Sequence, residues 1–253
     1  MARQKGIIPL VGTIGGINFY YLNGVAVARK AGGGFNGYAI RTKASMVRVR
    51  ENGKEFGECS RINKDFRRAL LPFYLGAKFS DFHSRLMGLF TRLKNMDGVG
   101  RRGERKVSEG ISTEAGMRLL KEFDYTPECH IDTVLPFRFD VEPESFDLDL
   151  PDFDIEKVRF VKGADRIELN YGLLHFDAGT WGFSLYRAEP IILDKGFEGS
   201  SLKLKPDTIP EGKGTVMAIL GVRFYQEANG TLYLLNAQNA VGISVLECIS
   251  RIV

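Results

Sequence analysis

The sequence is poor in the residues that build metal, redox and disulfide chemistry: among 253 residues there are three cysteines, three histidines and one tryptophan. Cys59, Cys129 and Cys248 form an odd, widely spaced set without a CxxC, so neither a disulfide framework nor a zinc knuckle is encoded, and buried thiols are expected. His83, His130 and His175 are equally scattered. Cys129 and His130 adjoin, but a tetrahedral site needs two further ligands nearby, and the pair reads as the entry to a strand. GxSxG, HExxH and P-loop patterns are missing. Gly32, Gly33 and Gly34 carry neither the Lys-Ser/Thr of a Walker motif nor GxGxxG spacing, which leaves a flexible connector or a tight crossing. No catalytic residue, metal or cofactor is therefore assigned, and a non-enzymatic role is expected. No run approaches the roughly 18 apolar residues of a spanning helix, so membrane insertion is not expected. The start, MARQKGIIPLVG, is too short in apolar residues for a signal-peptide core, which points to a cytoplasmic product or a component of an assembled particle.

Charge is plentiful and unevenly placed. Residues 1–126 hold 23 Lys and Arg against 11 Asp and Glu, whereas residues 127–253 hold 12 against 20. A summed field of this kind concerns partners rather than fold, because it steers a surface toward opposite charge. The basic half is suited to nucleic acid or to the acidic half of another copy. The step divides the chain into a basic hairpin and helical module, 1–126, and an acidic β-rich domain, 127–253.

Periodicity changes near the same place. Asn23-Gly24 between residues 17–22 and 25–29 predicts a tight hairpin, preceded by a strand at 7–11 and a Gly-rich turn at 12–16. Ile62, Phe66, Ala69, Leu70 and Phe73 lie on one face of a helix that Pro72 should end or kink. A second helix is expected from Ser80, with Asp81 in its first turn and Phe82, Leu86, Leu89, Phe90 and Leu93 as its buried stripe. A third covers about 113–123, with Met117, Leu120 and Phe123 inward. After Pro127 short apolar or alternating runs at 133–139, 145–150, 158–161, 166–176, 183–193, 215–226, 231–235 and 241–252 predict strands, with a hairpin at Asn229-Gly230. The expected class is α+β: an N-terminal β-hairpin plus helices, followed by an antiparallel β-sandwich or jelly-roll-like domain.

Two clusters invite a functional reading. The acidic run 142–156, EPESFDLDLPDFDIE, lacks the DxDxDG spacing of a calcium loop. In a strand, Phe146, Leu148 and Leu150 would face inward and Asp147 and Asp149 outward, giving a solvated face. The basic set comprises Arg41, Lys43, Arg48, Arg50, Arg61, Lys64, Arg67, Arg68, Arg101, Arg102, Arg105 and Lys106. These are the candidate nucleic-acid or subunit contacts, because neutralising phosphate needs Lys and Arg without base-reading geometry. Phe19, Tyr20 and Tyr21 could add stacking surfaces, although alternate residues of a hairpin face opposite sides. Glu51, Glu55, Glu58 and Asp65 dilute the basic field. Trp181, flanked by Gly179 and Gly182, reads as a core or interface anchor, with a ligand pocket as the alternative.

The words MARQKGII, GTIG, INFYY, NGVAVARK, RVRENGKEFG and FRRAL resemble those of a family of uncharacterised proteins encoded in Bacteroidota genomes and their mobile elements. The resemblance covers about the first 110 residues, through RRGER. It implies a recurrent module with a β start and helices before a β-rich domain, and it carries no catalytic residues; its mobile-element setting suits a virion component. The expectation drawn from all of this is a self-assembling structural protein and homo-oligomer, with a phage-like capsid, shell or tail component as one such role. A nucleic-acid-binding accessory protein and a carbohydrate- or ligand-binding β domain are the alternatives.

Overall fold

A computed structural model describes residues 2–6, 8–32, 36–177, 179–180 and 182–251. The chain divides into two compact units, 1–53 and 54–253.

The first unit is a small antiparallel sheet of β1 (Ala2–Arg3), β2 (Gly12–Ile14), β3 (Ile17–Leu22) and β4 (Val25–Lys30), followed by a short helix α1 (Gly37–Thr42). The strand order is β1-β4-β3-β2, so β1 and β2 are its edges. Asn23 and Gly24 take φ values of 49° and 76°, the doubly positive pair that a type I′ turn requires. The strand expected at 7–11 is not formed at residues 8–11, Ile7 lying outside the described residues. Pro9 has no N–H to give to a ladder, and the Leu10 N–H is donated to Gln4 Oε1 at 2.8 Å instead. Gly33 and Gly34 of the glycine run also lie outside the described residues.

α2 (Val47–Tyr74) crosses the division, and its continuation in the second unit buries Cys59, Ile62, Phe66, Leu70 and Phe73 along one face. Pro72 sits inside its last turn, and the helix ends before Gly76, whose φ is 92°. α3 (Phe82–Asn95) buries Phe82, Leu86, Leu89, Phe90 and Leu93, as the spacing predicts, with Asp81 rather than Ser80 at its N-cap. α4 (Val107–Ile111) and α5 (Glu114–Glu122) follow. The Thr113 hydroxyl caps α5 by accepting the Gly116 N–H at 3.0 Å. Leu119 joins Leu120 on the inner face of α5, while Met117 is half-buried.

The apolar run at 133–139 forms no strand. Ile131, Val134 and Leu135 are buried at i, i+3 and i+4, and the His130 carbonyl accepts from Val134 at 3.0 Å, which makes one helical turn, α6 (Ile131–Val134). Pro136 then prevents its continuation. β5 (Asp140–Val141), β6 (Leu148–Leu150) and β10 (Leu202–Leu204) make a three-stranded sheet. Residues 158–161 are likewise not a strand: the Val158 N–H closes a 3-10 turn on Ile155, and Arg159 bonds to the Val134 carbonyl. The large sheet contains β7 (Arg166–Asp177), β8 (Gly182–Arg187), β9 (Ile191–Asp194), β11 (Gly214–Ala228), β12 (Thr231–Leu234) and β13 (Val241–Arg251). The expected strand at 183–193 is thus two, interrupted around Pro190. β7 and β11 are central, β8 and β9 border β7, and β12 and β13 border β11, all antiparallel.

This order gives the large sheet two buried faces. Ile167, Leu169, Tyr171 and Leu173 of β7, with Val216, Ala218, Leu220 and Val222 of β11, pack toward Leu148, Leu150, Leu202 and Leu204 of the small sheet. That pairing of unequal antiparallel sheets is the sandwich expected of the acidic half, and the α+β class holds. Leu174, Phe176, Met217, Ile219, Ile243 and Val245 face the other way and share a core with α2, α3, α4 and α5. Helices and sheet therefore belong to one packed unit. The charge step after Thr126 falls within it: Thr126 is buried, and its hydroxyl accepts the Ile243 N–H of β13 at 2.9 Å.

Two glycines permit the close approach. A Cβ at Gly221 of β11 would stand 2.7 Å from the Phe73 ring of α2, and one at Gly110 of α4 would stand 1.9 Å from the Leu93 carbonyl oxygen of α3. The second obstacle is backbone and cannot rotate away. Gly110→Ala is expected to lower unfolding free energy by about 3 kcal/mol, measured by denaturant titration, whereas Ala at the open position Gly57 should not lower it.

Candidate assembly and polyanion interface

The Gly-containing basic loop between α3 and α4 is built on three carboxylates. Glu55 lies on the inner face of α2 and is buried. Its carboxylate accepts from Arg105 Nε and Nη2 at 2.9 and 2.8 Å, Lys94 Nζ at 2.7 Å and the Gly103 N–H at 2.7 Å. The Arg105 guanidinium, helped by Lys94 and the Gly103 N–H, holds this carboxyl down at about 2, against the upward push of burial. Asp97 accepts the N–H groups of Val99, Gly100 and Lys106, each at 2.8 Å. Burial pushes its carboxyl up, but the three backbone donors outweigh that and keep it below the ordinary value. Glu58 accepts the Val107 N–H at 3.2 Å, and there burial prevails, raising its carboxyl. These groups border an open cleft of about 640 Å³.

Turning the carboxylates inward leaves the basic side chains outside. Arg101, Arg102 and Lys106 of the loop are exposed, as are Arg61, Lys64 and Arg68 of α2. Positions 61, 64 and 68 repeat at i, i+3 and i+7, so they share the face of α2 turned away from Ile62, Phe66 and Leu70. Exposed Leu71 and Leu75 continue that side past the last basic residue.

Arg105, Arg67 and Arg50 are held by defined hydrogen bonds within the protein. Arg105 is the bidentate partner of Glu55, Arg67 Nε donates to Asn63 Oδ1 at 2.9 Å, and Arg50 Nη1 donates to the Ile40 and Lys43 carbonyls at 2.6 and 3.0 Å. Arg48 pairs with Glu51 at 3.3 Å on the surface, and Arg41 and Lys43 are exposed. Arg41, Lys43, Arg48 and Arg50 belong to the first unit and the remaining eight to the second.

The first unit presents a different surface. Register places Ile14, Ile17, Phe19, Tyr21, Ala26 and Ala28 on one face of its sheet. Arg3, Tyr20, Leu22, Val25, Val27 and Arg29 occupy the other. The first face is largely apolar, with Lys30 at its margin, while the second also carries Thr13 and Asn18 and mixes polar with apolar groups; among the described residues 2–53 only Val27 is fully buried. Ile14, Ile17 and Tyr21 are 56%, 41% and 52% exposed, and Leu10, Val11, Leu22, Val25 and Tyr38 are exposed as well.

The other motifs behave as structure. Phe146, Leu148 and Leu150 of the acidic run are buried, while Asp147 and Asp149 reach Lys203 at 3.2 and 3.1 Å, the outward acidic face expected of the alternation. Cys59 and Cys129 are buried and Cys248 half-buried, all free thiols. Trp181 lies outside the described residues. No group of three or more His, Cys, Asp and Glu is placed to hold a metal among the described residues. Sequence pattern does not mark Glu55 and Asp97 as organising residues, although Glu55, four residues before Cys59 and seven before Ile62, lies on the apolar stripe of α2. No protein-family model, curated protein or solved structure matches the chain.

Proposed function

We propose that the chain is a self-assembling structural subunit in which the N-terminal sheet of each copy is covered by another copy. The observation that carries this reading is a 53-residue unit whose sheet has one largely apolar face and one basic and aromatic face, with a single fully buried side chain among its described residues. Ordering a strand costs roughly 1–2 kcal/mol per residue in backbone entropy, and a small sheet offsets that only by burying an apolar face. Contiguous exposed apolar surface of this kind marks a contact with another macromolecule.

Charge supports a second copy as that macromolecule. Residues 1–53 carry eight Lys and Arg and one acid, Glu51, whereas residues 127–253 carry eight more acids than bases. A contact joining unlike surfaces propagates into rings or filaments, the behaviour of a shell, capsid or tail component. Apolar burial would supply most of the affinity and the charges the register. Sedimentation of the full chain across protein concentration at low salt tests this: mass should rise well beyond one chain and fall as salt is added. A monomer at every concentration overturns it.

A second reading rests on the outward basic face of α2 and its neighbouring loop. Arg61, Lys64, Arg68, Arg101, Arg102 and Lys106 suit the phosphate backbone of a nucleic acid without sequence preference. Titration with single- and double-stranded oligonucleotides should then give an affinity that drops steeply with salt and weakens in Lys64→Glu/Arg68→Glu. Absence of binding at low salt removes this reading.

A further inference from the structure

We infer that the acidic cleft between residues 151–157 and 195–200 is the seat for the basic face of the N-terminal sheet of a second copy. This rests on the assembly reading above and names the partner of one of the sheet's two faces, the apolar face of Ile17 and Tyr21 being the other. The cleft is about 770 Å³, and its rim carries Asp152, Asp154, Glu156 and Glu198. Its floor is aromatic, with Phe153 and Phe197 in edge contact at 5.7 Å between centroids. Asp154 is answered by Lys157 at 3.3 Å, and Lys195 lies 5.2 Å over the Phe160 ring. Asp152, Glu156 and Glu198 are exposed carboxylates with no cation paired to them among the described residues. A concave rim of four carboxylates and two lysines, three of the carboxylates without a paired cation, over an aromatic floor suits a group of the opposite charge that also carries apolar surface.

The N-terminal sheet supplies such a group. Arg3 of β1 lies opposite Val27 of β4, and Arg29 stands two residues along β4 on the same face, so the two guanidiniums rise from neighbouring positions. Arg29 lies 5.4 Å over the Tyr20 ring, and Tyr20 is opposite Val27. Arg29 over Tyr20, with Arg3 on the same face across Val27, makes a basic and aromatic knob. Guanidinium groups pair carboxylates bidentately and stack on rings, which matches both the rim and the floor. The cleft has room for such side chains rather than for a whole sheet, so the knob enters and the strands stay outside.

The test is a charge-swap cycle in the full chain, with mass measured by light scattering at low salt. Asp152→Lys/Glu198→Lys in one variant and Arg3→Glu/Arg29→Glu in another should each weaken assembly at least tenfold, and the fourfold variant should regain most of it. Circular dichroism and melting of each variant check that these exposed changes leave the fold intact. Assembly untouched by either reversal, while the wild type assembles, overturns this pairing and leaves the assembly reading standing. Losses that the fourfold variant does not repair overturn it too, since they report long-range charge. Reversals that shift melting reciprocally without changing mass place the contact within one chain and also overturn it. A wild type that never assembles removes the broader reading instead.

Discussion

A full-length chain carrying Ile17→Glu and Tyr21→Glu is expected to remain monomeric under conditions where the wild type assembles, with its association weakened at least a hundredfold. Both side chains lie on the face of β3 shared with Ile14 and Phe19, and both are about half exposed in the single chain. Glutamate at these positions is therefore tolerated by the monomer, where it meets water. In an interface the same carboxylates would be desolvated among apolar groups, a penalty of several kcal/mol that a well-packed contact cannot absorb. Light scattering at matched concentrations checks this, with melting temperature as the control for folding. Equal masses for variant and wild type would show that this face is not the contact.

The largest effect on the fold is expected at Glu55. Glu55→Ala should lower unfolding free energy by about 3–5 kcal/mol, because it leaves the Lys94 ammonium buried without its anion and frees Arg105 and the Gly103 N–H. Trypsin should then cut at Arg101 and Arg102 far faster than in the wild type, since the loop loses the group on which it is hung. The acid limb gives an independent readout. A carboxyl at about 2 in the folded chain, against 4.5 ordinarily, contributes its full stabilisation above about 4.5 and loses it as pH falls toward about 2. The wild type should lose stability over that window, and Glu55→Ala should show a flatter acid limb in denaturant titrations at pH 7 and pH 3.

Where structure follows from neighbours along the chain, the sequence was enough to read it. Asn23-Gly24 and Asn229-Gly230 adopt positive φ because few other residue pairs do so readily, and both hairpins form where expected. The stripes of α2 and α3 are buried as their spacing predicts. Spacing and structure part where local pattern is ambiguous or where distant groups decide. Ile131, Val134 and Leu135 fit both a strand-like apolar run and a single helical turn, and the turn prevails beside Pro136. Residues 8–10 look extended until the Gln4 side chain takes the Leu10 N–H. The sharing of one core by the helices and the large sheet depends on Gly221 admitting Phe73, a contact 148 residues apart in the chain.

The basic candidates divide in the same way. Exposure of Arg61, Lys64 and Arg68 follows from the period of α2, so their place on its outer face was legible. Arg105 looked equivalent to Arg101 and Arg102 in a Gly-containing loop, and only the long-range bond to Glu55 separates them. The compositional step after Thr126 was legible as charge, but Thr126 is tied into β13 by a partner 117 residues away. The low burial of the described residues among 2–53 could not be read from composition, since their apolar content resembles that of a strand-rich core.

Cryo-electron microscopy of the purified full-length chain, prepared at low salt and high concentration, tests the central claim most directly. Assembly through the N-terminal sheet predicts repeating particles in which Ile14, Ile17, Phe19 and Tyr21 of one copy are buried against another. Isolated single chains, or particles that leave this sheet in solvent on both faces, would contradict it.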